Sequence, residues 1–215
     1  RIYYVIFDWE NYRDNLISIL NLRAGGLAIY GGVIAAVITL TVYTRKKKLS
    51  FFSMADSGCL GLITGQIIGR WGNFFNCEAF GGYTDSLFAM RIRRALVNES
   101  MISQDLLNHL IVKDGVEYIQ VHPTFLYESV WNLGVLVFML WYRKRKKFNG
   151  EMLLIYLLGY GLGRVWIEGL RTDQLIFFNT GIAVSQALSL VLVVISALVL
   201  IWKHRQIRLK SKGED

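Results

Sequence analysis

The chain is expected to be an all-α polytopic membrane protein with about five transmembrane helices in its 215 residues. Three observations predict this. Apolar residues make up 53% of the chain, and they gather in runs of about 17 to 25 residues, the length that spans a bilayer core. Charges sit in blocks between those runs instead of being interspersed as on a soluble domain. The purest basic blocks directly follow apolar runs, as membrane topology signals do.

Each element follows from these patterns. The first run, 25–43, is rich in glycine and ends at Arg45, Lys46, Lys47 and Lys48. The second covers 52–75. The third, 124–142, ends at Arg143, Lys144, Arg145, Lys146 and Lys147. The fourth, 152–167, is short for a span. The fifth, 181–202, leads into a basic tail over 203–212. Between them lie polar segments at 79–122 and 169–180. No internal repeat or low-complexity stretch is evident. The whole chain reads as a single integral-membrane domain, with 79–122 as a loop or head region. It opens on Arg1 with no signal-peptide pattern, so further N-terminal spans are expected upstream.

The net charge of +8 does not indicate a nucleic-acid partner, because the basic residues flank the apolar runs. With five spans, the three basic blocks share one side, and the positive-inside bias makes that side cytoplasmic. The C-terminus is then cytoplasmic, and 79–122 faces out. That segment does carry Arg91, Arg93, Arg94 and Lys113, mixed with Asp85, Glu99, Asp105, Asp114 and Glu117, and is long enough to weigh little in the bias.

This orientation gathers the polar residues of three runs at the outer leaflet. Arg70, Asn73, Asn76, Glu78 and Gly81 lie at the outer end of the second run, and His122 opens the third. On the fourth, Tyr160, Arg164, Glu168 and Arg171 fall within about 80° of one another at 100° per residue. Leu158, Leu162, Val165 and Trp166 take the other side. Ionisable residues inside a membrane generally face a polar cavity and mark function. The plainer reading is structural: Arg164 with Glu168 as an i,i+4 ion pair, Arg70 with Glu78 tying two helices, Arg171 and Lys203 snorkelling to headgroups. A stripe of alternating sign is not explained by snorkelling. A cavity with several arginines suits an anionic headgroup, because guanidinium groups hold phosphate in bidentate fashion. Asn73 and Asn76 can donate to glycerol or ester oxygens, and His122 or Tyr30 can move a proton.

Other residues carry less. Cys59 and Cys77 are 18 residues apart on one expected helix, about 27 Å at 1.5 Å per residue, too far to pair. Cys77 is taken as a packing residue. His109 falls in the outer segment and His204 in the basic tail; neither has metal-ligand spacing around it, and no metal is expected.

Four stretches carry a resemblance. They are GGLAIYGG at 25–32, GRWGNFFNCEAFG at 69–81, HPTFLYE at 122–128 and YGLGRVWIEGLR at 160–171. Together, and in this order, they resemble the prolipoprotein diacylglyceryl transferase family over essentially the whole chain. The resemblance implies a multi-pass enzyme of the bacterial plasma (inner) membrane, with about seven spans, an outward-facing site and no cofactor. The reaction it implies moves the sn-1,2-diacylglyceryl group of phosphatidylglycerol onto the lipobox cysteine thiol of a prolipoprotein signal peptide. Glycerol phosphate leaves, and this is the first step of lipoprotein maturation. Its partners are thus phosphatidylglycerol, prolipoprotein signal peptides and membrane lipid, with no nucleic acid. Arg70 matches the family's essential signature arginine and Arg164 the catalytic or gating arginine of the later helix. Asn73, Glu78 and Gly81 match further signature positions; Glu168 would orient Arg164, with Tyr160 on the same face. Tyr30 stands where many members have histidine, which leaves the base open between Tyr30, His122 and none. The rival class is a non-enzymatic phospholipid or ion transporter, which would favour midplane polar residues and inverted repeats.

Overall fold

A computed structural model describes residues 1–22, 25–172 and 183–212. Most of the 169–180 segment and the start of the fifth run fall outside them. The chain is mostly helical and divides into two compact units, Arg1–Ala55 and Asp56–Asp215. Among the described residues, three helices are long and apolar enough to cross a membrane: Phe51–Phe75, Thr124–Arg145 and Val184–Ser211.

The first unit contains helices α1 (Ile2–Phe7) and α2 (Ile29–Lys47). Between them the chain is gathered by Arg1, whose guanidinium donates to the carbonyls of Ser18, Ile19, Gly25 and Gly26. Gly25 and Gly26 take φ of +82° and +71°, a region closed to most side chains. α2 ends on Lys48 in the left-handed conformation, with Arg45, Lys46 and Lys47 in its last turn, where cations complement the helix dipole.

The second unit is built on α3 (Phe51–Phe75) from Asp56 onward, α5 (Thr124–Tyr142), α6 (Glu151–Glu168) and α7 (Val184–Lys212). α7 runs through the basic tail without a break, so the fifth run and its tail are one element. Glycines bring α5, α6 and α7 close. A Cβ on Gly163 would lie 2.3 Å from the Trp131 ring, one on Gly159 2.8 Å from Val135, and one on Gly161 2.8 Å from Val193. Small residues are the usual means of close helix packing in lipid, where no hydrophobic drive acts between helices. Trp131 Nε1 also donates to the Gly159 carbonyl at 2.8 Å. The expected apolar face of α6 contributes Leu158, Leu162 and Trp166 to an apolar groove of about 660 Å³ shared with α5.

The start of α6 is fixed by two buried carboxylates. Asp56 accepts from Lys146 Nζ (3.0 Å) and from the backbone N–H of Gly150 (2.8 Å) and Leu153 (2.9 Å). Glu151 accepts from the Tyr142 hydroxyl at 2.6 Å, the Lys147 N–H at 2.5 Å and His204 Nε2 at 2.7 Å. Asp56 thereby satisfies the Leu153 amide, one of the first-turn amides that have no intrahelical partner, and Glu151 holds the segment just before the helix through the Lys147 N–H. His204 therefore does not merely lie in a solvated tail; it ties α7 to the α6 N-terminus.

The departure from an all-α chain lies between α3 and α5. β1 (Met90–Arg93), β2 (Ile111–Lys113) and β3 (Val116–Val121) form an antiparallel sheet in the order β1-β3-β2. Met90 faces Val121 and Ile111 faces Tyr118 in the register. Its core is Phe80, Ile92, Val97, Leu106, Ile119 and Val121, with Leu106 supplied by the short helix α4 (Gln104–Asn108). The reading of 79–122 as a polar segment missed these residues because they are dispersed among charges, two or more positions apart, as strand alternation requires.

Candidate functional site

The site is assembled around Glu128. α3 presents Arg70, α5 presents Glu128, and α6 presents Arg164 and Glu168. Arg70 Nη2 lies 2.6 Å from Glu128 Oε1, and Arg164 Nη1 lies 3.2 Å from the same oxygen and 3.4 Å from Oε2. Arg164 Nη2 reaches Glu168 Oε2 at 2.6 Å, and Arg171 Nη1 approaches that oxygen at 3.7 Å. The Ser185 hydroxyl of α7 donates to Glu168 Oε1 at 2.5 Å. Glu128 and Glu168 are buried, and the three arginines are largely so. Three guanidiniums thus approach two buried carboxylates in ion pairs that link α3, α5 and α6.

The signature stretch joins this layer through a helix end. α3 stops at Phe75, and Cys77 takes φ +53°. The Cys77 N–H bonds to Phe74 O at 3.2 Å and the Glu78 N–H to Asn73 O at 3.0 Å. This is a Schellman motif with cysteine in the left-handed position where glycine is usual. The turn, rather than a continued helix, brings Glu78 back over Asn73, so Cys59 and Cys77 do not share one helix. In the amide orientation that satisfies both neighbours, Asn73 Oδ1 accepts from Arg70 Nη1 (3.2 Å) and Nδ2 donates to Glu78 Oε1 (3.3 Å). Asn76 Nδ2 adds a bond to Glu78 Oε1 at 3.1 Å. Arg70 and Glu78 are therefore linked through Asn73, while the direct partner of Arg70 is Glu128.

Backbone bonds lock three of the recognised stretches together. The Gly81 N–H donates to His122 O, the His122 N–H to Gly82 O, and the Gly82 N–H to Leu170 O, each at 3.0 Å. The buried Thr124 hydroxyl bonds to Ala79 O. Gly81 pairs across an isolated bridge with Arg171. Its role in the geometry is close approach: a Cβ there would lie 2.7 Å from His122 Cβ and 2.8 Å from Leu170 O.

The remaining candidates have contacts of their own. His122 Nδ1 lies 3.2 Å from the Tyr127 hydroxyl. Burial lowers its imidazole pKa below the ordinary value, so the ring is neutral near pH 7. Tyr160 stacks on Tyr156, with centroids 5.7 Å apart, and Tyr156 OH receives a bond from Gln66 Nε2 at 2.8 Å. Tyr30 belongs to the first unit, where its ring lies 6.1 Å from that of Tyr3.

Sequence reasoning quoted Glu128 inside a motif but assigned it no role. Its signal was available: a lone carboxylate in the apolar run 124–142 is an intramembrane ionisable group. Ser185 had no such signal, since isolated serines are common in apolar helices.

Comparison with known proteins follows this geometry. The profile of the family described as prolipoprotein diacylglyceryl transferase matches residues 1–202. A Clostridium botulinum (strain Langeland) protein named phosphatidylglycerol–prolipoprotein diacylglyceryl transferase is 43% identical over 196 residues, covering 91% of this chain and 71% of its own. The Listeria monocytogenes serovar 1/2a protein of the same name is 44% identical over 215 residues, 100% of this chain and 73% of its own. That of Clostridioides difficile strain 630 is 43% identical over 175 residues, 81% and 61% respectively.

Proposed function

The chain belongs to the prolipoprotein diacylglyceryl transferase family, and we propose that its Arg70–Glu128–Arg164 layer binds the phosphate of phosphatidylglycerol for transfer of the diacylglyceryl group to a prolipoprotein. It is a membrane-bound transferase of bacterial lipoprotein biosynthesis. The acceptor is the lipobox cysteine thiol. Its sulfur forms a thioether bond to the glycerol carbon while the bond from that carbon to the phosphate oxygen breaks, and glycerol phosphate leaves with the electron pair.

One observation carries this reading: arginines from two helices converge on one buried carboxylate, with a third arginine close by. Guanidiniums held in place stabilise negative charge where it develops on the leaving phosphate. Glu128 and Glu168 set their positions, and Asn73, Asn76 and Glu78 hold the end of α3 against Arg70. The same cationic layer favours the thiolate. A free thiol with a pKa of about 8.5 is only a few per cent ionised near pH 7, and neighbouring cations raise that share. A neutral His122 is available to take the proton.

Transfer of label from phosphatidylglycerol to a lipobox peptide by the purified protein tests the reading. Arg70→Lys is expected to lower the rate by roughly 10²-fold, the worth of one transition-state donor, while the protein still accumulates in the membrane. Lysine keeps the charge and loses the planar fork. A near-normal rate would reduce Arg70 to a source of charge. No transfer by the unaltered protein would favour a lipid transporter.

The topology proposed is five spans in this chain, with the site and the 79–122 head towards the outer face and the C-terminus cytoplasmic. What supports it is the placement of basic blocks at the ends of apolar runs. In a Cys59→Ser, Cys77→Ser background, Leu87→Cys is expected to react with an impermeant maleimide in intact cells, Leu87 being 94% exposed. Lys47→Cys and Lys144→Cys are expected to react only after lysis. Labelling at 47 from outside overturns the orientation.

A further inference from the structure

One helical turn below the ion layer lies a second polar layer that the reaction as described does not use. Gln66, Asn132 and Tyr160 each stand four residues from a member of the ion layer: Gln66 from Arg70 on α3, Asn132 from Glu128 on α5, and Tyr160 from Arg164 on α6. Residues four apart share a helix face and differ by about 6 Å along the axis. In each case the step runs away from the signature turn, into the bundle. The three helices meet at this depth. Ser129 Oγ of α5 donates to Ile67 O of α3 at 3.1 Å, and Gln66 Nε2 donates to Tyr156 OH of α6 at 2.8 Å.

This layer is chemically unfinished. Asn132 is 1% exposed, yet neither its Nδ2 nor its Oδ1 has a hydrogen-bond partner among the described residues, and Gln66 Oε1 has none either. Buried amides are nearly always paired, and one left unpaired is costly. Just deeper, Cys59, Ile63, Met139, Met152 and Tyr156 close into an apolar cluster. The polar layer thus forms a shelf between the ions and the apolar core.

We propose that this shelf is the subsite for the ester carbonyls of the lipid's diacylglycerol part, with Asn132 Nδ2 as the principal donor. The proposal rests on the reading that the phosphate sits on Arg70 and Arg164. In a glycerophospholipid the ester carbonyls lie a few bonds from the phosphorus, a separation of the same order as one turn of helix. They are acceptors only and pair with the free donor of Asn132, Nδ2, while the Asn132 and Gln66 oxygens are left to a donor such as water. A phosphate on the arginines and carbonyls on the shelf hold the glycerol between two fixed points, with its reacting carbon at the ion layer. Such two-point anchoring limits the motion of the reacting centre.

Two donor lipids separate the possibilities. Transfer is measured with diacyl phosphatidylglycerol and with its dialkyl ether analogue, which keeps the phosphate and the reacting carbon but has no carbonyl oxygen. The unaltered protein is expected to use the ether lipid with KM raised about tenfold, the worth of one or two hydrogen bonds. Asn132→Leu is expected to raise KM for the diacyl lipid by a similar factor and to abolish the difference between the two lipids. The loss falls mainly on KM, as for a contact made alike in ground and transition states. Glycerol phosphate, the headgroup alone, is expected to inhibit both proteins equally. If it inhibits neither, the phosphate reading fails, independently of the lipid comparison. Equal KM values for the two lipids with the unaltered protein overturn the subsite and leave the shelf to buried water; that comparison needs no variant. A KM increase in Asn132→Leu confined to the peptide substrate overturns it as well.

Discussion

Glu128→Gln is expected to abolish measurable transfer and to lower the apparent unfolding midpoint in detergent by roughly 10 °C. The carboxylate is buried and bound by two guanidiniums, at 2.6 Å and 3.2 Å from one oxygen. Removing one partner of a buried ion pair costs about 3–5 kcal/mol, because it leaves an uncompensated charge. Here two like charges remain, with nitrogens within about 6 Å of each other in a medium of low dielectric constant. A loss of that size corresponds to some 2–4 °C per kcal/mol for a chain of about 200 residues. The arginines would then separate or draw in other partners, and the phosphate site would be lost with them. Glu128→Asp keeps the charge on a shorter stem and should recover part of both stability and rate. A Glu128→Gln protein that transfers at a near-normal rate would show that the arginines hold their positions without it.

Gly81→Ala should cost transfer by about 10²-fold, the penalty for misplacing a reacting group by about 1 Å, while Gly82→Ala should be tolerated. The neighbouring glycines look equivalent in sequence. A Cβ on Gly81 would press on His122 Cβ at 2.7 Å and on the Leu170 carbonyl at 2.8 Å, whereas one on Gly82 meets nothing within 4 Å. The Leu170 carbonyl is backbone and accepts the Gly82 N–H, so it yields only by moving Arg171, whose guanidinium approaches Glu168. Overpacking of this kind also destabilises by about 1–3 kcal/mol. Equal transfer rates for the two alanine variants would remove the steric account of Gly81.

Much of the helix plan was legible because it depends on local chemistry. The run 124–142 coincides with α5, and the runs 52–75 and 152–167 fall within one residue of α3 and α6 at each end. Run length and the basic stop after Tyr142 carry that information along the chain, whereas the run 25–43 lies four residues ahead of α2 because the helix starts at Ile29 and continues through Arg45, Lys46 and Lys47. Arg70, Arg164, Glu168 and Arg171 were also legible, since a charge within an apolar run is conspicuous. The head region was harder to read. Ile92, Leu106, Ile119 and Val121 lie apart in sequence and become a core only when β1 pairs with β3.

The sequence by itself determined the membrane class, the family and the four polar stretches, because run length, charge blocks and motif order are properties of a one-dimensional string. Tertiary structure alone decided which partners those residues take. Arg70 faces Glu128, 58 positions away, because α3 and α5 pack side by side, and it connects to Glu78 through Asn73. Glu78 returns over Asn73 because a left-handed Cys77 ends the helix, and Gly81 packs against Leu170 because three distant segments are joined by backbone bonds. Ion pairs and close contacts act over a few ångströms of space, and separation along the chain does not specify that distance until the helices have packed.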